Sequence, residues 1–185
     1  MRAIVHAIEH HVLKAEAKIV ISNNSQSPAL VFAQEHHVPT RHISATSLGA
    51  GQDADTALEA ALVDAGADTL VLSGYMRKLG PRVLSRYAGR ILNIHPGLLP
   101  RFGGQGMYGM NVHRAVLAAG ERTSGITIHL VDEEYDHGPQ IASRKILLMP
   151  GDTAETLAAR VQAAEPEFFV EILRKLADGS LPWPK

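Results

Sequence analysis

The chain has 185 residues, enough for one domain with a sizeable core, and 45% of them are apolar, an ordinary globular share. Lys and Arg number 18 against 19 Asp and Glu, a net charge of −1, so nothing points to nucleic acid or an anionic membrane as a partner. Cysteine is absent, which excludes disulfides and thiolate metal sites; no apolar run reaches membrane-spanning length and no signal-peptide core opens the chain, so a cytoplasmic protein is expected.

Ile4, Val5, Ile8, Val12 and Leu13 recur at a helical period over 2–13. Lys18-Ile19-Val20-Ile21-Ser22 reads as a buried strand, and Asn23-Asn24-Ser25 as a turn. Residues 28–35 read as a helix, 38–43 as a marginal strand and 48–51 as a loop. Asp53 to Ala65 is an amphipathic helix, and Asp68 to Ser73 the second clear strand. Pro81 opens a short helix to Tyr87, and 91–94 is the third strand. A glycine-rich loop over 103–109 leads into a helix over 112–119, which Gly120 ends. Ser124 to Val131 alternates, with Ile126, Ile128 and Leu130 on one face, and 141–149 is a further strand. Asp152 or Thr153 caps a last helix reaching about residue 177. Strands alternate with helices for two-thirds of the chain, then two strands follow with a short link. The expectation is an α/β fold with a mostly parallel sheet and an antiparallel edge. With neither repeat nor linker, residues 1–185 count as a single domain.

The stretch Asn93-Ile94-His95-Pro96-Gly97-Leu98-Leu99-Pro100 carries the most chemistry. An apolar run feeds Asn93 and His95, which as i and i+2 of a strand point the same way, and two prolines then stop regular structure. An amide donor beside an imidazole suits chemistry on a carbonyl: one group holds the oxygen and the other moves protons. In such folds ligands bind beyond the carboxyl ends of the strands, where Ser73-Gly74-Tyr75-Met76 and Asn93-Ile94-His95 both fall. A carboxylate from the acidic loop Asp132 to Pro139 could reach His95 and hold it protonated. The plain alternatives are a strand ending in a polar loop and a solvated acidic turn.

Two further motifs carry less. His6-Ala7-Ile8-Glu9-His10 matches H-x-x-E-H, but the helix's apolar stripe lies on its other face and no third ligand is identifiable. Gly104-Gln105-Gly106-Met107-Tyr108-Gly109 matches G-x-G-x-x-G without the preceding first strand that a dinucleotide site needs. It reads as a loop before a helix, or as backbone N–H groups open to an anion.

Asn93-x-His95-Pro96, Leu98-Leu99-Pro100 and, some forty residues on, Asp136-x-Gly138-Pro139 together resemble the folate-dependent formyltransferases. Leu70 to Arg77, Gly89 to Pro96, Ser124 to His129 and Asp152 to Glu165 extend the resemblance over nearly the whole chain. It implies a three-layer, Rossmann-like fold. It implies transfer of a formyl group from 10-formyltetrahydrofolate, without a metal, to the primary amine of glycinamide ribonucleotide in purine synthesis. Asn93 would donate to the formyl oxygen, His95 would be the charged partner or proton carrier, and Asp136 would hold His95 and order a relaying water. The folate pocket would draw on Tyr75, Met76, Arg77 and Leu79, and on Val131, Glu133, Glu134 and Tyr135; substrate contacts would include Gly74, Pro96, the His129 backbone and Glu165. Met76 and Leu79 as plain core, and Glu165 as a solvated helix position, stay open. The implied partners are small molecules, with a homodimer admitted and neither nucleic acid nor membrane.

Two departures stand out. The family opens with a β-strand and a glycine-serine-asparagine loop that cradles the substrate phosphate, whereas this sequence starts at Met1-Arg2-Ala3-Ile4, inside the matching helix. The expectation is a sheet with an internal slot and two unpaired ladders, unless the chain is incomplete, neighbouring strands close the gap or a partner fills it. The second departure is a longer loop from Phe102 to Met110. Another amine, of a sugar nucleotide or methionyl-tRNA, and a silent folate-binding relative are the alternatives.

Overall fold

The computed structural model describes residues 1–49 and 53–184, so Ala50 and Gly51 of the expected 48–51 loop lie outside the described residues. In chain order the elements are α1 (Arg2–Glu9), β1 (Val20–Ser22), α2 (Pro28–Glu35), β2 (Thr40–His42), α3 (Ala54–Asp64), β3 (Leu70–Leu72), α4 (Pro81–Arg86), β4 (Ile91–His95), α5 (Met110–Ala118), β5 (Thr123–Leu130), β6 (Gln140–Leu147) and α6 (Ala154–Ala177).

Local chemistry sets most helix ends. The Ser27 hydroxyl accepts from the Ala29 amide, with Pro28 next in the chain. The Asp53 carboxylate accepts from the Thr56 amide, and Thr153 and Thr156 close a reciprocal capping box at α6. α1 stops at Glu9, short of the 2–13 that its apolar period predicts. His11 takes a left-handed φ of 58°, and the amides of Val12 and Leu13 both turn back onto the Ala7 carbonyl. Leu13 still reaches the core, but from that turn rather than from a helix.

The strands form two sheets. β1 and β2 pair in parallel; β3, β4, β5 and β6 lie in that order, with β3–β4 parallel and β4–β5 and β5–β6 antiparallel. Ile91 and Leu92, both fully buried, are successive residues of β4 and face opposite sides. Leu92 joins the main core, with Ile126 and Ile128 of β5 beneath α1, α5 and α6. Ile91 packs with Leu62 of α3, Val83 of α4 and Leu70. Helices therefore cover both faces, and the molecule has the three layers of an α/β fold with parallel pairing and an antiparallel edge.

Between β1 and β3 the sheet is interrupted. Among the described residues β1 pairs only with β2 and β3 only with β4, so the neighbouring strands do not close the slot. A cleft of about 960 Å³ remains, lined by Val20 and Ile21 on one side and Val71 and Leu72 on the other. At one end of the cleft wall the Met1 amino group donates to the Ser73 hydroxyl over 3.0 Å. A smaller core, of Val5, Phe32, Ala33 and Val38, belongs to the β1–β2 side.

Candidate active site

The register of β4 against β5 builds the site. Asn93 stands opposite His129 and His95 opposite Thr127, so these four side chains share the face away from Leu92 and Ile94. The chain leaves β4 at His95 and is pinned at once. The Thr127 hydroxyl donates to the Gly97 carbonyl over 2.7 Å and accepts from the Leu99 amide over 3.2 Å. Gly97 has no room for a side chain, because a Cβ would meet Val112 at 2.8 Å and His95 Nε2 at 3.1 Å.

The carboxylate arrives from the β5–β6 loop. Leu130 N–H donates to the Pro139 carbonyl over 2.9 Å and closes that loop at its base. Asp132 folds its interior by accepting from the Glu134 amide over 2.9 Å and contacting His137 Nδ1 at 2.9 Å. Asp136 sits at φ 55°, the left-handed region, which an Asp tolerates better than most residues. From there its carboxylate reaches three groups: His95 Nδ1 at 3.3 Å, His129 Nε2 at 3.5 Å, and the Gly104 amide, which donates over 3.1 Å.

The result is one polar line through a buried region. Asn93 Nδ2 lies 3.1 Å from His129 Nε2, and the opposite ring nitrogen, Nδ1, donates to the Leu130 carbonyl over 2.8 Å. Unprotonated, Nε2 accepts from the Asn93 amide; protonated, it turns its N–H to Asp136 and frees that amide. His95, 3% exposed, faces oxygen at both ring nitrogens, Asp136 at Nδ1 and the Phe102 carbonyl at Nε2, 2.6 Å away. Only the doubly protonated ring donates on both sides. Burial alone would raise the Asp136 pKa. The nearby His129 and His95 rings, the His95 charge and the Gly104 amide outweigh it and hold the carboxyl well below the usual carboxylate range. Glu165 shows the opposite balance: burial raises its pKa, against a smaller lowering by the His95 charge. His113, buried in α5 with an unpartnered Nδ1, is pushed down by burial and then by the His95 charge.

The structure thus brings together Asn93, His95 and Asp136; Pro96 follows His95 in the chain, and Glu165 lies near enough to feel the His95 charge. It adds three groups that sequence reasoning missed: the His129 side chain, the Phe102 carbonyl and the Gly104 amide. His129 had a signal, since it alternates with Thr127 on β5, but the register that puts it opposite Asn93 is not written locally. Gly104, first glycine of the G-x-G-x-x-G match, takes φ 97° and directs its amide to Asp136 rather than to an open anion site.

The residues expected to bind folate lie on two neighbouring loops. Tyr75 and Val131 pack on the Leu79 core cluster, and Leu79 itself is buried there at 7% exposure. Lys78 Nζ lies 6.0 Å over the Tyr135 ring and links the loops. Met76, Arg77, Glu133, Glu134 and Tyr135 are exposed; Gly74, Tyr75 and Arg77 border the β1–β3 cleft.

An α/β sheet whose strand ends gather an amide, two imidazoles and a carboxylate, linked by contacts of 3.5 Å or less, holds the groups that acid–base chemistry uses. The model of the formyl transferase family matches residues 1–173, and the chain belongs to that family. It is 35% identical over 189 residues to a chloroplastic phosphoribosylglycinamide formyltransferase of Vigna unguiculata, covering 100% of this chain and 59% of the relative. It is 38% identical over 156 residues to the chloroplastic enzyme of Arabidopsis thaliana, covering 84% of this chain and 50% of the relative. The chain therefore spans between half and three-fifths of the length of these curated relatives. Among solved structures, glycinamide ribonucleotide transformylase 1 of Symbiobacterium toebii superposes with a TM-score of 0.86 at 31% identity, over 96% of this chain and 82% of the other.

Proposed function

We propose that this chain transfers a formyl group from 10-formyltetrahydrofolate to the primary amine of glycinamide ribonucleotide. The observation that carries the reading is the line Asn93–His129–Asp136–His95 at the ends of β4 and β5. The names of the relatives supply the acceptor, and the resemblance to the folate-dependent formyltransferases supplies the donor. The acceptor's amine attacks the formyl carbon, and its oxygen gains charge. Asn93 has two amide N–H groups and uses at most one on His129, which leaves at least one to donate to that oxygen. His95, held between Asp136 and the Phe102 carbonyl, supplies fixed positive character beside it. Collapse then breaks the bond from carbon to the folate nitrogen. The proton lost by the amine passes to that nitrogen through a water ordered by the Asp136 carboxylate.

In this reading the pterin and formyl carrier lie between the 73–80 and 131–136 loops, against Tyr75, Met76, Arg77, Leu79, Val131, Glu133, Glu134 and Tyr135. The acceptor lies toward Gly74, Pro96, His129 and Glu165. Residues 1–185 act as a single domain on small molecules, and the reaction asks for no metal. Among the described residues no helix is long and apolar enough to cross a membrane. A cytoplasmic location and a homodimer are the compartment and assembly this reading expects; sedimentation of the purified chain tests the second.

The deciding experiment measures formyl transfer to glycinamide ribonucleotide and to a phosphate-free glycinamide as control. The nucleotide should be formylated and the control poorly. His95→Ala should abolish transfer while sparing folate binding; full activity in that variant removes His95 from the mechanism. Equal rates on both acceptors would favour a different amine.

A further inference from the structure

We propose that His6, Glu9 and His36 form a surface site for a divalent transition metal, zinc above all, which ties α1 to α2. His6 and Glu9 stand one turn apart on α1, and His36 caps the carboxyl end of α2. The two carboxylate oxygens of Glu9 are already divided between the imidazoles: Oε2 lies 3.3 Å from His6 Nδ1 and Oε1 lies 2.7 Å from His36 Nδ1. One ligand atom from each of the three residues lies within 4.8 Å of the others. With Zn–N and Zn–O bonds of about 2.1 Å, neighbouring ligand atoms of a tetrahedral site stand roughly 3.4 Å apart. Side-chain rotations of about an ångström supply that spacing.

The rings are not free to wander. His36 stacks on Phe32 with centroids 4.0 Å apart, and His6 meets the same ring edge-on at 5.3 Å. Phe32 is itself buried in the small core shared by α1 and α2. Two ligands are thus held by packing before any ion arrives, which lowers the entropic cost of assembling the site. Two imidazoles and one carboxylate suit zinc, nickel or copper rather than calcium or magnesium, whose sites are built from oxygen. Three protein ligands on an exposed face leave the fourth position to water.

The H-x-x-E-H match is therefore resolved differently from its sequence pattern. Glu9 faces His6 and His36 as a ligand, and the third position comes from α2, twenty-seven residues away. The His10 ring stacks at 6.5 Å from His6, outside the trio. The site shares no residue with the Asn93–Asp136 line and rests on no part of the proposed reaction.

Calorimetric titration of the purified chain with zinc chloride at pH 7.5 tests the proposal, with circular dichroism confirming that each variant is folded. The wild type should bind one equivalent saturably and gain thermal stability. His36→Ala and Glu9→Gln should each weaken binding by at least about tenfold, whereas His42→Ala, on exposed β2, should bind like the wild type. The affinity should fall at pH 5.5, where metal and protons compete for the imidazoles. Absence of saturable one-equivalent binding overturns the proposal. So does undiminished binding in folded His36→Ala and Glu9→Gln, which would place any zinc on the other histidines.

Discussion

At the scale of single residues the site turns on two carboxyls that burial and partners drive apart. Asp136 has its folded pKa depressed, so its contribution to stability is complete above the ordinary carboxylate pKa and fades as pH falls through the depressed value. Asp136→Asn should lower the formyl-transfer rate by roughly 10²–10⁴. It should also remove that contribution at neutral pH, so melting curves of variant and wild type converge as the pH drops below about 4. Parallel curves at every pH would mean that Asp136 is not coupled to the two histidines. Glu165 has the opposite sign. Its raised folded pKa means that stability is greatest while it stays protonated and declines as pH rises through the ordinary and then the raised value. Glu165→Gln should therefore raise the melting temperature at pH 7 and leave it unchanged near pH 4; an equal effect at both would point to packing rather than charge. Asn93 and His95 were legible in sequence because their relation is local, two residues along a strand. That the acidic loop could bring a carboxylate to His95 was legible from its place after a strand, but its assignment to Asp136 came only through the resemblance. The His129 side chain was not legible, because cross-strand register depends on the whole β4–β5 pair.

At the scale of elements, the β5–β6 loop does the aiming. A Cβ on Gly138 would collide with the Leu130 carbonyl oxygen, backbone that already shapes the loop's base. Gly138→Ala should cost about 1–3 kcal/mol, each kcal/mol lowering the melting temperature by roughly 2–4 °C in a chain of this size. Calorimetry measures that cost. Because the alanine displaces the loop that carries Asp136, activity measured well below the melting point should fall as well. A variant that is destabilised but fully active would uncouple the loop from the site. Elements with a chemical start were legible to within a residue or two: Pro28 for α2, Asp53 for α3, Pro81 for α4, Thr153 for α6. The end of α1 was not. Its apolar period runs on through Val12 and Leu13, but the left-handed His11 reverses the chain and delivers Leu13 to the core from a turn.

At the scale of the whole molecule, the cleft between β1 and β3 divides the stability. Central β5 is paired on both edges and lies under the main core, with Ile126 and Ile128 fully buried. Among the described residues β1 and β3 each have one paired edge. Val20 donates to the Pro39 carbonyl over 2.8 Å and Leu70 to the Arg90 carbonyl over 2.9 Å. Because donors alternate along a strand, the amides of Ile21 and Val71 turn toward the cleft. Local opening is not needed to expose an amide that has no protein acceptor among the described residues, whereas the β5 amides exchange only when the sheet itself opens. Hydrogen exchange followed by NMR should therefore rank Ile21 and Val71 fastest, Val20 and Leu70 slower, and Ile126 and Ile128 slowest by orders of magnitude. Helix α2 should follow it, since the Val5, Phe32, Ala33 and Val38 core is small, whereas α1 is also anchored in the main core through Ala7. If Ile21 and Val71 exchange as slowly as Ile128, a strand or partner occupies the cleft in solution and the two sheets behave as one.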